Sequence, residues 1–424
     1  MNTFVRKLKI AWKDRGLRNR LLIMAGLLVA FRLLSAIPIP GVDSARLAQF
    51  LSNNQFFGVL NIFSGGGLST LSILMLGVGP YITASIIMQL LAMMFPSLKA
   101  LSQEEGEAGR RTYAQYSRLL AVPLAALQAV SFLLLLRQQG IFPGLAMADF
   151  VLGSVVAIAG SMLLMWIGEV MTEYGVSNGV SIIIFAGIVA ALPSHIGQAL
   201  FTFDVSQIPQ YVLFLALGVA LIVGVVYVSE AERPIPVTYA RQVRGTSTTG
   251  GVSTYLPLRV NQAGVIPIIF ALSILLVPQL LGNLITSFAH GGTLLSIGQK
   301  LAGFSQTSLL YGILYFVFVF VFTYFYTAVT FDPKQMSENL QKGGAFIPGI
   351  RPGQATEQYL GAVVTRITLV GALFLGVIAV LPLAVRAITG ITSLALGGTA
   401  LLIVVSVILE LIKKIDAQVS MHEY

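Results

Sequence analysis

Gly77-Val78-Gly79-Pro80-Tyr81-Ile82-Thr83-Ala84-Ser85-Ile86-Ile87-Met88-Gln89-Leu90-Leu91 lies in an apolar run over 72–94, with no charged residue before Lys99. A helix needs ~20 such residues to cross a hydrocarbon core about 30 Å thick, so the run reads as a membrane span. Its head is unusual. Proline lacks a donor N–H and two glycines open backbone angles that other residues avoid, so a break or a helix start belongs at 77–81. Gly264-Val265-Ile266-Pro267 heads a second run, over 263–283, in a similar way. Interrupted segments in corresponding positions of two halves point to a functional site between them.

Further apolar runs near 21–37, 119–136, 151–172, 180–196, 209–228, 309–330, 363–382 and 394–412 bring the expected spans to ten. The 424 residues are 56% hydrophobic and 10% charged, which leaves too few charges for a water-soluble surface. Zero cysteines exclude disulfides, thiolate catalysis and cysteine metal ligation. No small-residue cleavage site follows the first run, so it is expected to stay as a span.

Lys and Arg outnumber Asp and Glu by 26 to 17. Placed on alternate sides of ten spans, 21 of the 26 fall on one side. Only Arg46, Arg137, Lys300 and Arg386 fall on the other, while Arg32 sits inside the first span near its outer end, where it can snorkel. The basic side is expected to be cytoplasmic, and both termini lie on it. The surplus charge also suits anionic lipids. The expected organisation is a basic N-terminal segment 1–20, a first half 21–196, a second half 209–412 and a cytoplasmic tail 413–424.

The cytoplasmic loops 229–262 and 331–362 are long and basic, and long loops tend to carry function, so docking of a large partner is expected beside plain positive-inside charge. On the outer side, 55–71 is apolar, too short to cross and broken by Gly65-Gly66-Gly67. Backbone at membrane depth without a full span needs protein or a water-filled cavity around it, so the segment reads as re-entrant, the alternative being an amphipathic helix on the outer surface.

Ionisable residues are nearly absent from the spans; Glu169, Glu173 and Glu410 fall at inner ends. His195, His290 and His422 show no metal-ligand spacing, and neither a nucleophile with its base nor a phosphate loop is present. No catalytic residue, cofactor or metal is expected. A secondary transporter of inverted repeats is the competing function, although coupling normally requires polar or ionisable groups at midplane.

Beyond these physical readings, Gly79 to Leu91 resembles the second-span signature of the SecY family, the central subunits of bacterial protein-conducting channels. Ile37-Pro38-Ile39-Pro40-Gly41, Gly106-Glu107-Ala108-Gly109-Arg110-Arg111, the stretches 179–187 and 256–267, Phe346 to Gly353 and 397–403 resemble that family in order. The resemblance implies an all-α multipass membrane protein, with ten transmembrane helices in two inverted five-helix halves around an hourglass pore. By motif position it implies a pore ring of Val78, Ile82, Ile184, Ile188, Ile269 and Ile403. It implies a re-entrant plug of Asn61, Ile62, Phe63, Ser64, Gly65, Gly66, Gly67, Leu68, Ser69 and Thr70. A lateral gate would carry Thr83, Gln89 and Asn261, and Arg241, Arg244 and Arg351 would dock partners. Those implied are the SecE and SecG small membrane subunits, the SecA motor ATPase, the ribosome with its RNA, and secretory and membrane-protein precursors bearing signal sequences. One departure stands out: many relatives place basic residues after Gly245, where this chain has Thr246-Ser247-Thr248.

Overall fold

The computed structural model describes residues 14–39, 47, 61, 64–68, 70–103, 105–138, 147–201, 208–239, 242–244, 247–249, 253–288, 292–303, 309–389 and 397–422. In the expected first half, helices occupy Arg15–Ser35 (α1), Gly79–Met94 (α2), Pro96–Gln103 (α3), Gly106–Gln138 (α4), Met147–Tyr174 (α5) and Gly179–Phe201 (α6). In the second they occupy Ile208–Glu230 (α7), Ile266–Phe288 (α8), Gly292–Ala302 (α9), Leu309–Thr330 (α10), Pro333–Lys342 (α11), Gln354–Thr389 (α12) and Gly397–His422 (α13). A helix therefore lies at each position where an apolar run was read. Among the described residues α4, α5, α10 and α12 are each long and apolar enough to cross a membrane alone. The α2–α3 pair is apolar enough together but bent by 117°, and shorter apolar stretches lie in α6, α7 and α8.

The helix starts follow local chemistry. The Asp14 carboxylate accepts from the Gly16 and Leu17 N–H groups and caps α1. Pro80 stands in the first turn of α2, where its missing N–H costs nothing. The expected second span over 72–94 is helical only from Gly79; residues 72–78 form a buried irregular turn that Gly77 enters at φ +61°. Gly264, at φ +62°, likewise precedes α8.

The two long loops 229–262 and 331–362 do not simply extend as solvated chain. Glu232–Tyr239 (β1) pairs antiparallel with Ser253–Arg259 (β4), and Ala345–Phe346 (β5) joins its other edge at Thr238 and Tyr239. That edge is open beside Pro234 and Pro236, which explains how a strand with two prolines sits centrally. Ile235, Val237, Leu258, Ile347 and Leu360 bury together, so the 229–262 and 331–362 loops share one small core beneath which α12 begins. A second hairpin joins Gln242–Arg244 (β2) to Ser247–Thr249 (β3).

Between the halves, α2 and α4 pack on α8, and α6 packs on α13. The largest apolar cluster draws on both halves at these seams.

Candidate functional site

The six expected ring residues come from four helices and one turn, yet all belong to the same buried cluster. Ile82 opens α2, Ile184 and Ile188 stand one turn apart on α6, Ile269 lies in the first turn of α8 and Ile403 in the second turn of α13. Val78 is at the N-cap of α2 and not inside it. None is more than 7% exposed, which excludes a lipid-facing position for every one of them. Val78 is held in place from behind: the Ser161 hydroxyl on α5 donates to the Gly77 carbonyl (2.8 Å).

A cavity of about 470 Å³ lies against this cluster and is lined by Ile82, Ile184 and Ile269 together with Tyr81, Glu169 and Tyr326. On its wall the Arg118 guanidinium pairs with the Glu169 carboxylate at 2.8 Å. A second cavity, about 500 Å³, shares Gln89 and Tyr326 and is lined also by Lys99, Arg110, Tyr113 and Asp332.

Of the expected plug, Ile62, Phe63 and Ser69 lie outside the described residues. Ser64 to Leu68 form turns in which Gly65 and Gly66 take φ +65° and +87°. The segment is fastened at its far end, where Ile39 and Leu71 (2.9 Å) and Ile73 and Ile37 (3.0 Å) exchange backbone hydrogen bonds. Its seat is made by backbone. A Cβ on Gly187 of α6 would fall 2.2 Å from the Gly65 Cα, and one on Gly65 would fall 2.1 Å from Cζ of Phe31. Gly187 stands between Ile184 and Ile188, so the same turn of α6 carries two of the expected ring residues and receives the Gly65 turn. The seating glycine was quoted within a motif, but nothing in the sequence identified what it faces.

The three expected gate residues are not joined to one another. The Thr83 hydroxyl donates to the Gly79 carbonyl of its own helix (3.0 Å), Gln89 donates to Ser85 (3.4 Å), and Asn261 donates to the Gly264 carbonyl (3.3 Å). Gln89 Oε1 and Asn261 Oδ1 are buried and, among the described residues, accept no hydrogen bond. Leaving an acceptor so costs about 1–3 kcal/mol, which favours any rearrangement that gives these groups a donor.

Of the inner-end carboxylates, Glu169 and Glu410 are held in ion pairs, and Glu173 is exposed beside the first cavity. Glu410 pairs with Lys414 (2.7 Å) and accepts from the Ser177 hydroxyl (3.2 Å), tying α13 to the turn between α5 and α6. Arg351 is exposed in the turn before α12, with its carbonyl accepting from the Thr356 hydroxyl (2.9 Å). Arg241 lies outside the described residues, and Arg244 ends β2. The 245–246 tip between β2 and β3 lies outside them too.

The SecY family model matches residues 72–412. A protein translocase subunit SecY from Synechococcus elongatus is 41% identical over 418 residues, which cover 96% of this chain and 94% of the relative. The chain belongs to the SecY family. Its fold is similar to that of a solved protein-conducting channel, with TM-score 0.66, 19% identity, and 95% and 93% of the two chains covered. It is similar also to Sec61 in a canine ribosome-channel complex, with TM-score 0.63, 18% identity, and 95% and 93% covered. As a SecY-family chain it is a multipass membrane protein of the protein-translocation apparatus, which excludes the secondary-transporter alternative. The family is one of channels and not a catalytic one.

Proposed function

We propose that this SecY-family channel passes unfolded secretory chains through the ring of Val78, Ile82, Ile184, Ile188, Ile269 and Ile403, with 61–70 as its outer plug. The observation that carries this is the convergence of six branched apolar side chains from both halves beside a cavity and a glycine-seated segment. Side chains branched at Cβ are stiff, and an apolar constriction can gate by dewetting. Such a ring closes around a passing chain by contact alone and offers it no polar group to bind.

Hydrophobic segments leave sideways between α2 and α8, where the unpaired oxygens of Gln89 and Asn261 make the closed seam costly to keep. The chain sits in the cell inner membrane with both termini in the cytoplasm, carries no enzymatic activity and needs no cofactor. SecE and SecG cover its lipid-facing helices, and anionic lipids meet its basic inner face. SecA and the ribosome dock on the small cytoplasmic domain through Arg351, Arg241 and Arg244; solved relatives include a ribosome-bound channel, and ribosomal RNA phosphates suit arginine.

Ile403→Asn tests the ring in planar bilayers. An unpaired amide in this apolar cluster costs about 1–3 kcal/mol, and about 1.4 kcal/mol is tenfold in an equilibrium. Ion leak should rise, and precursors with defective signal sequences should pass. Conductance equal to that of the parent would remove Ile403 from the ring.

A further inference from the structure

The last turn of α1 holds the plug at three places. Phe31 is fully buried with its ring against Gly65, so close that no other residue fits there. The Arg32 guanidinium donates to the Gly65 carbonyl at 3.4 Å and lies along Gly66, whose added Cβ would come within 3.4 Å of it. Beyond them, the Thr70 hydroxyl donates to the Ser35 carbonyl at 3.1 Å. Among the described residues, no carboxylate lies within ion-pair distance of Arg32.

We propose that Arg32 is the latch of the closed channel, a positioning residue whose cation holds the plug carbonyl at Gly65 against the pore helix. This rests on the channel reading above. The guanidinium presents five donors and accepts nothing, so near the membrane's outer edge it needs an oxygen. The Gly65 carbonyl supplies one only while the plug is seated. When the plug leaves, that carbonyl can be replaced by water in the outer mouth, so the contact favours the closed state without preventing release.

The segment it holds is strained at its root, which makes a latch necessary. Leu71 is fully buried at φ +45°, an angle that a branched side chain adopts only where its surroundings enforce it. Two tethers enforce it here, the strand-like bonds to Ile37 and Ile39 and the turn bond from the Leu71 N–H to the Leu68 carbonyl (3.1 Å). Loosening Arg32 removes one restraint from a backbone that already stores strain.

The test uses the full chain with its membrane subunits in planar bilayers, in the parent and after deletion of 61–70. Arg32→Gln should raise the frequency of spontaneous opening about tenfold in the parent, as expected for loss of a charge-assisted hydrogen bond. It should add nothing to the plug-deleted channel. Arg32→Lys keeps the charge and loses the planar fork, so its opening frequency should fall between parent and Arg32→Gln. If Arg32→Gln inserts poorly, Arg32→Lys alone decides, and parental opening frequency would overturn the latch. An equal rise with and without the plug would overturn it as well, because Arg32 would then act elsewhere. A plug-deleted channel that conducts while Arg32→Gln is silent removes only the latch. A plug-deleted chain with no conductance at all removes the channel reading beneath it.

Discussion

Two adjacent residues of α6 meet their neighbours by opposite means. Ile188 contributes a side chain to a cluster in which it meets other branched side chains. Gly187 contributes the lack of one, allowing the Gly65 backbone to approach to a distance that no Cβ tolerates. Side-chain packing can adjust by a rotamer or a methyl group, whereas backbone against backbone cannot adjust without moving a segment. The ring should therefore tolerate apolar exchange, and the plug seat should tolerate nothing.

The largest effect on the seal should come from Gly187→Val. Overpacking typically costs about 1–3 kcal/mol, and an obstacle made of backbone puts this site at the upper end. The closed population should fall by roughly a hundredfold. Bilayer recordings should show a steady leak, and deleting 61–70 should abolish the difference between Gly187→Val and parent. A leak that persists after deletion would mean that the valine disturbs the ring instead.

Ser161→Ala probes the support behind Val78. Removing the donor to the Gly77 carbonyl costs about 1 kcal/mol and leaves a buried acceptor without that partner. Opening frequency should rise by about fivefold, with the amount of inserted protein unchanged.

Ile188→Val sharpens the comparison from the other side. It removes one methylene from the ring, at about 0.5–1.5 kcal/mol of packing in a site able to collapse. Conductance should stay close to the parent's, and a leak as large as that of Gly187→Val would erase the distinction between ring and seat.

Arg351→Glu should have no effect on the seal. It should abolish motor-dependent translocation and ribosome binding, measured by flotation of proteoliposomes with each partner, because an exposed cation held on the turn between Gly349 and Gly353 becomes an anion. Undiminished binding of both partners would place docking on other residues.

That five isoleucines and a valine share one buried cluster agrees with their residue type and their place at the heads or inner turns of apolar runs. The plug's glycine triplet was legible as a break, and the positive φ values at Gly65 and Gly66 bear out the need for glycine there. The small domain built from the two long loops was not legible. Each loop taken alone shows too little apolar surface to signal a core, and Ile235 and Val237 are buried only once Ile347 and Leu360 arrive from more than a hundred residues away. The gate residues were legible as polar groups in an apolar run, but not the fact that all three satisfy a donor locally while, among the described residues, Gln89 and Asn261 leave an oxygen without a partner.

What the sequence by itself determined is what depends on the transfer of consecutive residues from water into lipid. That covers where the apolar helices lie and the scarcity of charge between them, because each is a sum over neighbours in the chain. What only the tertiary structure decided is which backbones meet: Gly187 with Gly65, Phe31 and Arg32 with the plug, α2 with α8, and strands from one loop with a strand from another. Such contacts depend on shape complementarity between distant segments. A glycine that admits a neighbour looks, in sequence, the same as a glycine that merely bends.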